Sequence, residues 1–174
     1  VVPELCCPVD YDPAYLEVIP QEVVERDYGC GDPSKWLQPG ETVLDLGSGT
    51  GKICFIASQV VGKEGRVLGV DMTDDMLEVA RRNAPVVAER IGYENVSFLK
   101  GRIEDLALDR EALDTRLREH PVRSEQDLSE IESWSATERS QRPMIASDSV
   151  DVVVSNCVLN LVDPDRKRIM FEEI

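Results

Sequence analysis

The chain has 174 residues, 42% of them apolar, enough for one domain with a sizeable core, and a net charge of −15. That negative balance argues against nucleic acid or an anionic membrane surface as partner, because both reward clustered Lys and Arg, and it favours a small-molecule substrate. No apolar run approaches the roughly 18 residues of a membrane span and no signal-peptide pattern opens the chain, so a cytoplasmic location is expected; five cysteines, an odd number, point to free, catalytic or metal-binding thiols rather than a disulfide scaffold.

Residues 1–19 are interrupted by prolines and aspartates and carry the vicinal pair Cys6-Cys7, which cannot close an unstrained bridge with each other. They read as an arm. A short helix with proline near its first turn is predicted over residues 20–27, ending at Tyr28-Gly29-Cys30-Gly31, where flanking glycines leave the thiol accessible. A turn follows at Asp32-Pro33, and Trp36 is expected to pack under the sheet. Val43, Leu44 and Leu46 read as a buried strand; Gly47-Ser48-Gly49-Thr50-Gly51 then leads into an apolar helical pattern over residues 53–61 that stops at Gly62. Residues 65–71 form a second apolar strand ending in Asp71, and Thr73 is a candidate cap for a helix over residues 74–90, which Pro85 should bend or split.

Residues 95–100 are the third strand. The polar segment 107–147 is longer than an ordinary connection. Leu113 and Leu117 are one helical turn apart, and Ser124 is placed to cap a second helix carrying Leu128, Ile131 and Trp134. A helical hairpin laid on the surface, dispensable for activity, is expected, with a lid over the active site as the functional alternative and His120 as a surface residue in its turn. Residues 149–155 are the fourth strand, leading through Asn156-Cys157-Val158 to Asp163-Pro164, a cap and first-turn proline for a helix that continues to Ile174.

The glycine loop suits a small polar ligand, since glycines permit positive φ and close approach, and the helix start beyond them offers unpaired N–H groups. Its spacing is neither the dinucleotide Gly-x-Gly-x-x-Gly nor a P-loop. Asp71 comes 20 residues after Gly51, and a carboxylate ending a second strand can accept hydrogen bonds from two ribose hydroxyls. Asp45, the glycine triplet, and the second strand with its terminal acid resemble the class I S-adenosylmethionine-dependent methyltransferases. The resemblance implies an α/β, doubly wound Rossmann-like sheet, of which this chain would hold the N-terminal four of seven strands, with a helical insertion at 107–147. An arm and cap would occupy residues 1–39 and the methyltransferase domain 40–174. S-adenosyl-L-methionine would contact Asp45, Gly47, Ser48, Gly49, Gly51, Asp71, Met72 and Asn156. Ile103 would lie against adenine, and Glu104 or Asp105, with preference for Asp105, would accept from the exocyclic amine.

Tyr28-Gly29-Cys30-Gly31, Val70-Asp71-Met72-Thr73 and Ser155-Asn156-Cys157-Val158 together resemble the arsenite methyltransferases. That resemblance implies arsenic at Cys30 and Cys157, assistance from Cys6 or Cys7 by thiol exchange, a further cysteine beyond residue 174, and a thiol reductant of glutathione or thioredoxin type. Soft thiolates favour thiophilic centres, and trivalent arsenic keeps a lone pair, so no general base is required on the nucleophile. Cys54, in an apolar helical pattern, reads as a core residue. A methyltransferase for a small organic substrate such as a quinone precursor, and a non-catalytic metalloid-binding or cofactor-sensing module, are the competing readings.

Overall fold

The computed structural model describes residues 11–26 and 31–174; Cys6, Cys7 and Cys30 lie outside the described residues. Four parallel strands, β1 (Thr42–Leu46), β2 (Arg66–Asp71), β3 (Val96–Lys100) and β4 (Val152–Val154), pair in the order β3-β2-β1-β4. Alternation along each strand divides the side chains between two apolar layers. Val43, Val67 and Phe98 enter one cluster; Leu44, Leu46, Leu68 and Val70 enter the other.

The first layer is built by α3 (Lys52–Val61) and α4 (Asp74–Ile91). Five successive residues of α3, Ile53, Cys54, Phe55, Ile56 and Ala57, are buried, because strands cover one side of the helix and neighbouring helices the others. α1 (Pro13–Glu17) and α2 (Gln21–Glu25) lie against α3 and α4 respectively, and Ile19 and Val23 enter the same core. The second layer receives Ile103 and Leu106 from the loop after β3 and Met170 from α7 (Pro164–Glu173). The segment between β3 and β4 is a helical hairpin, α5 (Arg110–Glu119) and α6 (Glu125–Gln141), with Ser124 Oγ accepting the Asp127 N–H at 3.1 Å. His120 is exposed at the end of α5.

Several sequence expectations are corrected. Trp36 is 81% exposed on the 3-10 turn Pro33–Trp36, and Leu37, at 4%, takes the core position beside it. The stretch expected as an arm contains α1. Its signal is Asp12-Pro13: the Asp12 carboxylate accepts the Ala14 N–H at 2.9 Å, as Asp32 does for Ser34 at 3.0 Å and Asp163 for Asp165 at 2.9 Å. Of the two outcomes expected at Pro85, a bend or a split, the split does not occur: α4 is one helix through it, and the proline sits on the exposed face, where water can take the carbonyl it leaves unbonded. Thr73 occupies the cap position of α4 but makes no side-chain cap bond. β4 is shorter than expected, starting only at Val152 and ending at Val154; at Ser155 the hydroxyl donates to the Leu46 carbonyl at 3.1 Å and the chain leaves the sheet. Among the described residues no helix is long and apolar enough to cross a membrane.

Candidate functional site

The glycine loop joins β1 to α3 at the carboxyl ends of the strands, where open parallel sheets bind ligands. The Gly47 and Ser48 N–H groups both donate to the Val70 carbonyl, at 2.8 and 3.1 Å, and Gly51 N–H donates to the Ser48 carbonyl at 2.9 Å. Gly47, Gly49 and Gly51 all have positive φ, 78°, 54° and 90°, but their surroundings differ. A Cβ at Gly47 would collide with the Val158 side chain, and one at Gly51 would fall 2.5 Å from Phe98 Cζ; at Gly49 nothing among the described residues lies within 4 Å. Two of these glycines serve packing, and the third borders open space.

Asp71 is tied to this loop. Its Oδ2 accepts the Gly49 N–H at 2.9 Å and its Oδ1 accepts the Thr73 N–H at 2.8 Å. A carboxylate has about four acceptor positions, so each oxygen keeps one for a ligand hydroxyl. In front of it opens a cavity of about 440 Å3, within the range of roughly 300–1,000 Å3 usual for small-molecule sites. Gly47 and residues 71–73 line one part of it, residues 101–104 a second, and Val158, residues 161–163 and Arg166 a third. Ile103 is 7% exposed. The Glu104 carboxylate lies 3.4 Å from Arg102 and 3.9 Å from Arg166, with its side chain 13% exposed.

The fold therefore brings Gly47, Asp71, Met72, Ile103 and Glu104 around one cavity, with Gly49 bordering open space. Asp45, Ser48, Gly51 and Asp105 do not line this cavity. Asp45 is buried beneath the loop, where its Oδ2 accepts from the Cys54 thiol at 3.3 Å. The Ser48 hydroxyl is buried with no hydrogen-bond partner among the described residues, and the position of Gly51 is occupied with packing against Phe98 and Phe55. Asp105 does not line the cavity: Arg139 of α6 grips it, Nε at 3.0 Å from Oδ1 and Nη2 at 2.8 Å from Oδ2. Of the two acids named for the adenine amine, Glu104 lines the cavity and Asp105 faces α6. Val158, Asp163 and Arg166 were not foreseen as lining residues, although the chain after β4 had to leave the sheet at this edge.

The cysteines separate by environment. Cys54 is fully buried, and burial, then the negative charge of Asp45, push its thiol well above the ordinary value. It stays a neutral core group. Cys157 is exposed with φ of 58°, a left-handed conformation uncommon outside glycine and concentrated at functional sites. Next to it, Asn156 Nδ2 donates to the Gly31 carbonyl at 3.1 Å, and the Tyr11 hydroxyl donates to the same carbonyl at 2.8 Å. The residue after Cys30 is thus bonded to the residue before Cys157. Among the described residues no group of three or more His, Cys, Asp or Glu side chains could hold a metal ion.

The strand order, the helices on both faces and the glycine loop define a Rossmann-like sheet of the class I methyltransferase type. A family described as a methyltransferase domain matches residues 37–133, more than half of the chain, and the chain belongs to that family. The arsenite methyltransferase of Aquipseudomonas alcaligenes is 39% identical over 171 residues, covering 96% of this chain and 39% of that protein. The human arsenite methyltransferase is 34% identical over 159 residues, covering 90% of this chain and 33% of its own length. Among solved structures, CrArsM, an arsenic (III) S-adenosylmethionine methyltransferase from Chlamydomonas reinhardtii, superposes with a TM-score of 0.65 at 33% identity, covering 95% of this chain and 44% of that one. The chain spans about two-fifths of the length of the first of these relatives.

Proposed function

We propose that this chain is the cofactor-binding part of an S-adenosylmethionine-dependent methyltransferase whose substrate is trivalent arsenic held by the thiolates of Cys30 and Cys157. The observation that carries the reading is the hydrogen bond between Asn156 and Gly31, which joins the two cysteine-bearing segments, within a chain similar to arsenite methyltransferases along most of its length. The cavity fits the cofactor in size and donor set. Asp71 would accept from the ribose hydroxyls, Ile103 would flank the base, Glu104 would accept from its amine, and the open side of Gly49 leaves room for the methionine part. When bound, S-adenosylmethionine supplies an electrophilic methyl group. The protein's contribution is to orient substrate and donor in line and to hold arsenic on soft ligands. Nothing has to remove a proton from a nucleophile that already carries a lone pair, which agrees with His120 not lining the cavity. Keeping arsenic trivalent calls for a reductant of glutathione or thioredoxin type and a reducing, cytoplasmic setting.

The test uses the whole protein with S-adenosylmethionine, arsenite and excess thiol, and methylated arsenicals are the expected product. Cys157→Ser should remove methylation and leave S-adenosylmethionine affinity intact, because serine matches the shape but is a poor ligand for a soft centre. Cys54→Ser is the control. If Cys30→Ser and Cys157→Ser both methylate arsenite at the parent rate, the metalloid reading fails and a small organic substrate replaces it.

A further inference from the structure

We infer that the α5–α6 insertion is a clamp on the ligand cavity, in which Arg139 is a positioning residue: by holding Asp105 it turns the neighbouring Ile103 and Glu104 toward the ligand. The inference rests on the cofactor reading above and reverses the expectation that the hairpin is dispensable. The loop after β3 makes a tight turn, with the Asp105 N–H donating to the Arg102 carbonyl at 3.0 Å. Residues 103 and 104 line the cavity, whereas Asp105 is directed to α6. A single-point ion pair would leave this turn free to rotate. The guanidinium of Arg139 instead meets both carboxylate oxygens, at 3.0 and 2.8 Å, and a two-point contact fixes orientation as well as distance.

The insertion grips the same strand end at further points. Beyond α6, the Met144 and Ile145 N–H groups donate to the carbonyls of Ala107 and Leu106, each at 3.0 Å, and Met144 fills the space that a side chain at Gly101 would need. On the α5 side, Asp114 pairs with Lys100 at 2.6 Å and Glu111 with Arg81 at 2.5 Å, while Arg81 also donates to the Phe98 carbonyl. Exposed ion pairs usually contribute little to global stability. Here the pair joins residues 34 positions apart at a loop that lines the cavity, so its effect falls on the fraction of molecules with a binding-ready loop, and affinity scales with that fraction.

The experiment measures S-adenosylhomocysteine binding by calorimetry and amide hydrogen exchange over residues 101–106, on the whole protein. Arg139→Ala should weaken binding about three- to tenfold, and should speed exchange in 101–106 without changing it in α3 or β1. Arg139→Lys should not restore either property, because an ammonium lacks the planar fork. The exchanged pair, Asp105→Arg with Arg139→Asp, should restore both in part. Asp105→Asn, which leaves α6 untouched, should reproduce the exchange signature. Parent affinity together with parent exchange in Arg139→Ala, or no recovery in the exchanged pair, overturns the clamp. If the parent itself fails to bind S-adenosylhomocysteine while exchange still responds to Arg139, the cofactor reading fails and the clamp stands.

Discussion

The loop after β1 and the loop after β3 border the same cavity region, yet different forces hold them. Residues 47–51 are fixed by backbone: positive φ at three glycines, N–H groups on the Val70 carbonyl, and a carboxylate from the adjacent strand. Residues 101–106 have backbone bonds too, from Gly101 N–H to the Asp71 carbonyl and from Ile145 N–H to the Leu106 carbonyl, but here distant side chains are added: Arg139 on Asp105, Met144 over Gly101, and the Glu173 carboxylate accepting the Leu106 N–H at 2.8 Å. Backbone anchoring is short-range and here leaves no room for a side chain at Gly47 or Gly51. Anchoring by ion pairs is graded, so changes in the second loop should alter affinity by steps whereas changes in the first should fail outright.

The largest expected effect is at Gly51. A valine there must adopt φ near 90° and fit a Cβ 2.5 Å from Phe98 Cζ, which should cost about 3 to 5 kcal/mol; urea unfolding of Gly51→Val measures it, and a cost under that of an ordinary surface substitution would show that the loop is not rigid. Gly49→Val separates binding from folding. Its side chain meets open space, so the variant should fold with a penalty of about 1 to 2 kcal/mol and lose S-adenosylmethionine binding in calorimetry. Normal affinity in the folded variant would move the ligand elsewhere. Asp71→Ala should weaken the same binding by about 1.5–3 kcal/mol, or roughly tenfold to somewhat over a hundredfold; an unchanged dissociation constant removes Asp71 from the site.

The smallest effect lies under the first loop, at the Cys54 and Asp45 pair. Folding raises the thiol pKa, so above the unfolded value of about 8.5 the unfolded chain releases a proton that the folded chain keeps. The contribution is complete below that pH and declines as pH rises toward the folded value. Relative to parent, Cys54→Ala should therefore lose about 1 to 2 kcal/mol less stability between pH 8.5 and 10, read from denaturant curves. Parallel pH curves would show that the thiol ionises as readily folded as unfolded.

What local chemistry dictates was legible in the sequence. The glycine spacing encodes positive φ, Asp71 ends an apolar strand beside it, Asp163-Pro164 starts α7, and Ser124 caps α6. Each depends on atoms a few bonds apart or on the next strand in a predictable sheet. What the sequence leaves undecided are choices between neighbours: Leu37 rather than Trp36 in the core, Glu104 rather than Asp105 lining the cavity. Adjacent side chains in an extended or turning segment point different ways, and composition does not say which goes where. Partners distant in sequence decide it. Arg139 draws Asp105 outward from 34 residues away, and the thiol of Cys54 takes Asp45 beneath the loop; only the packed structure brings those groups within reach.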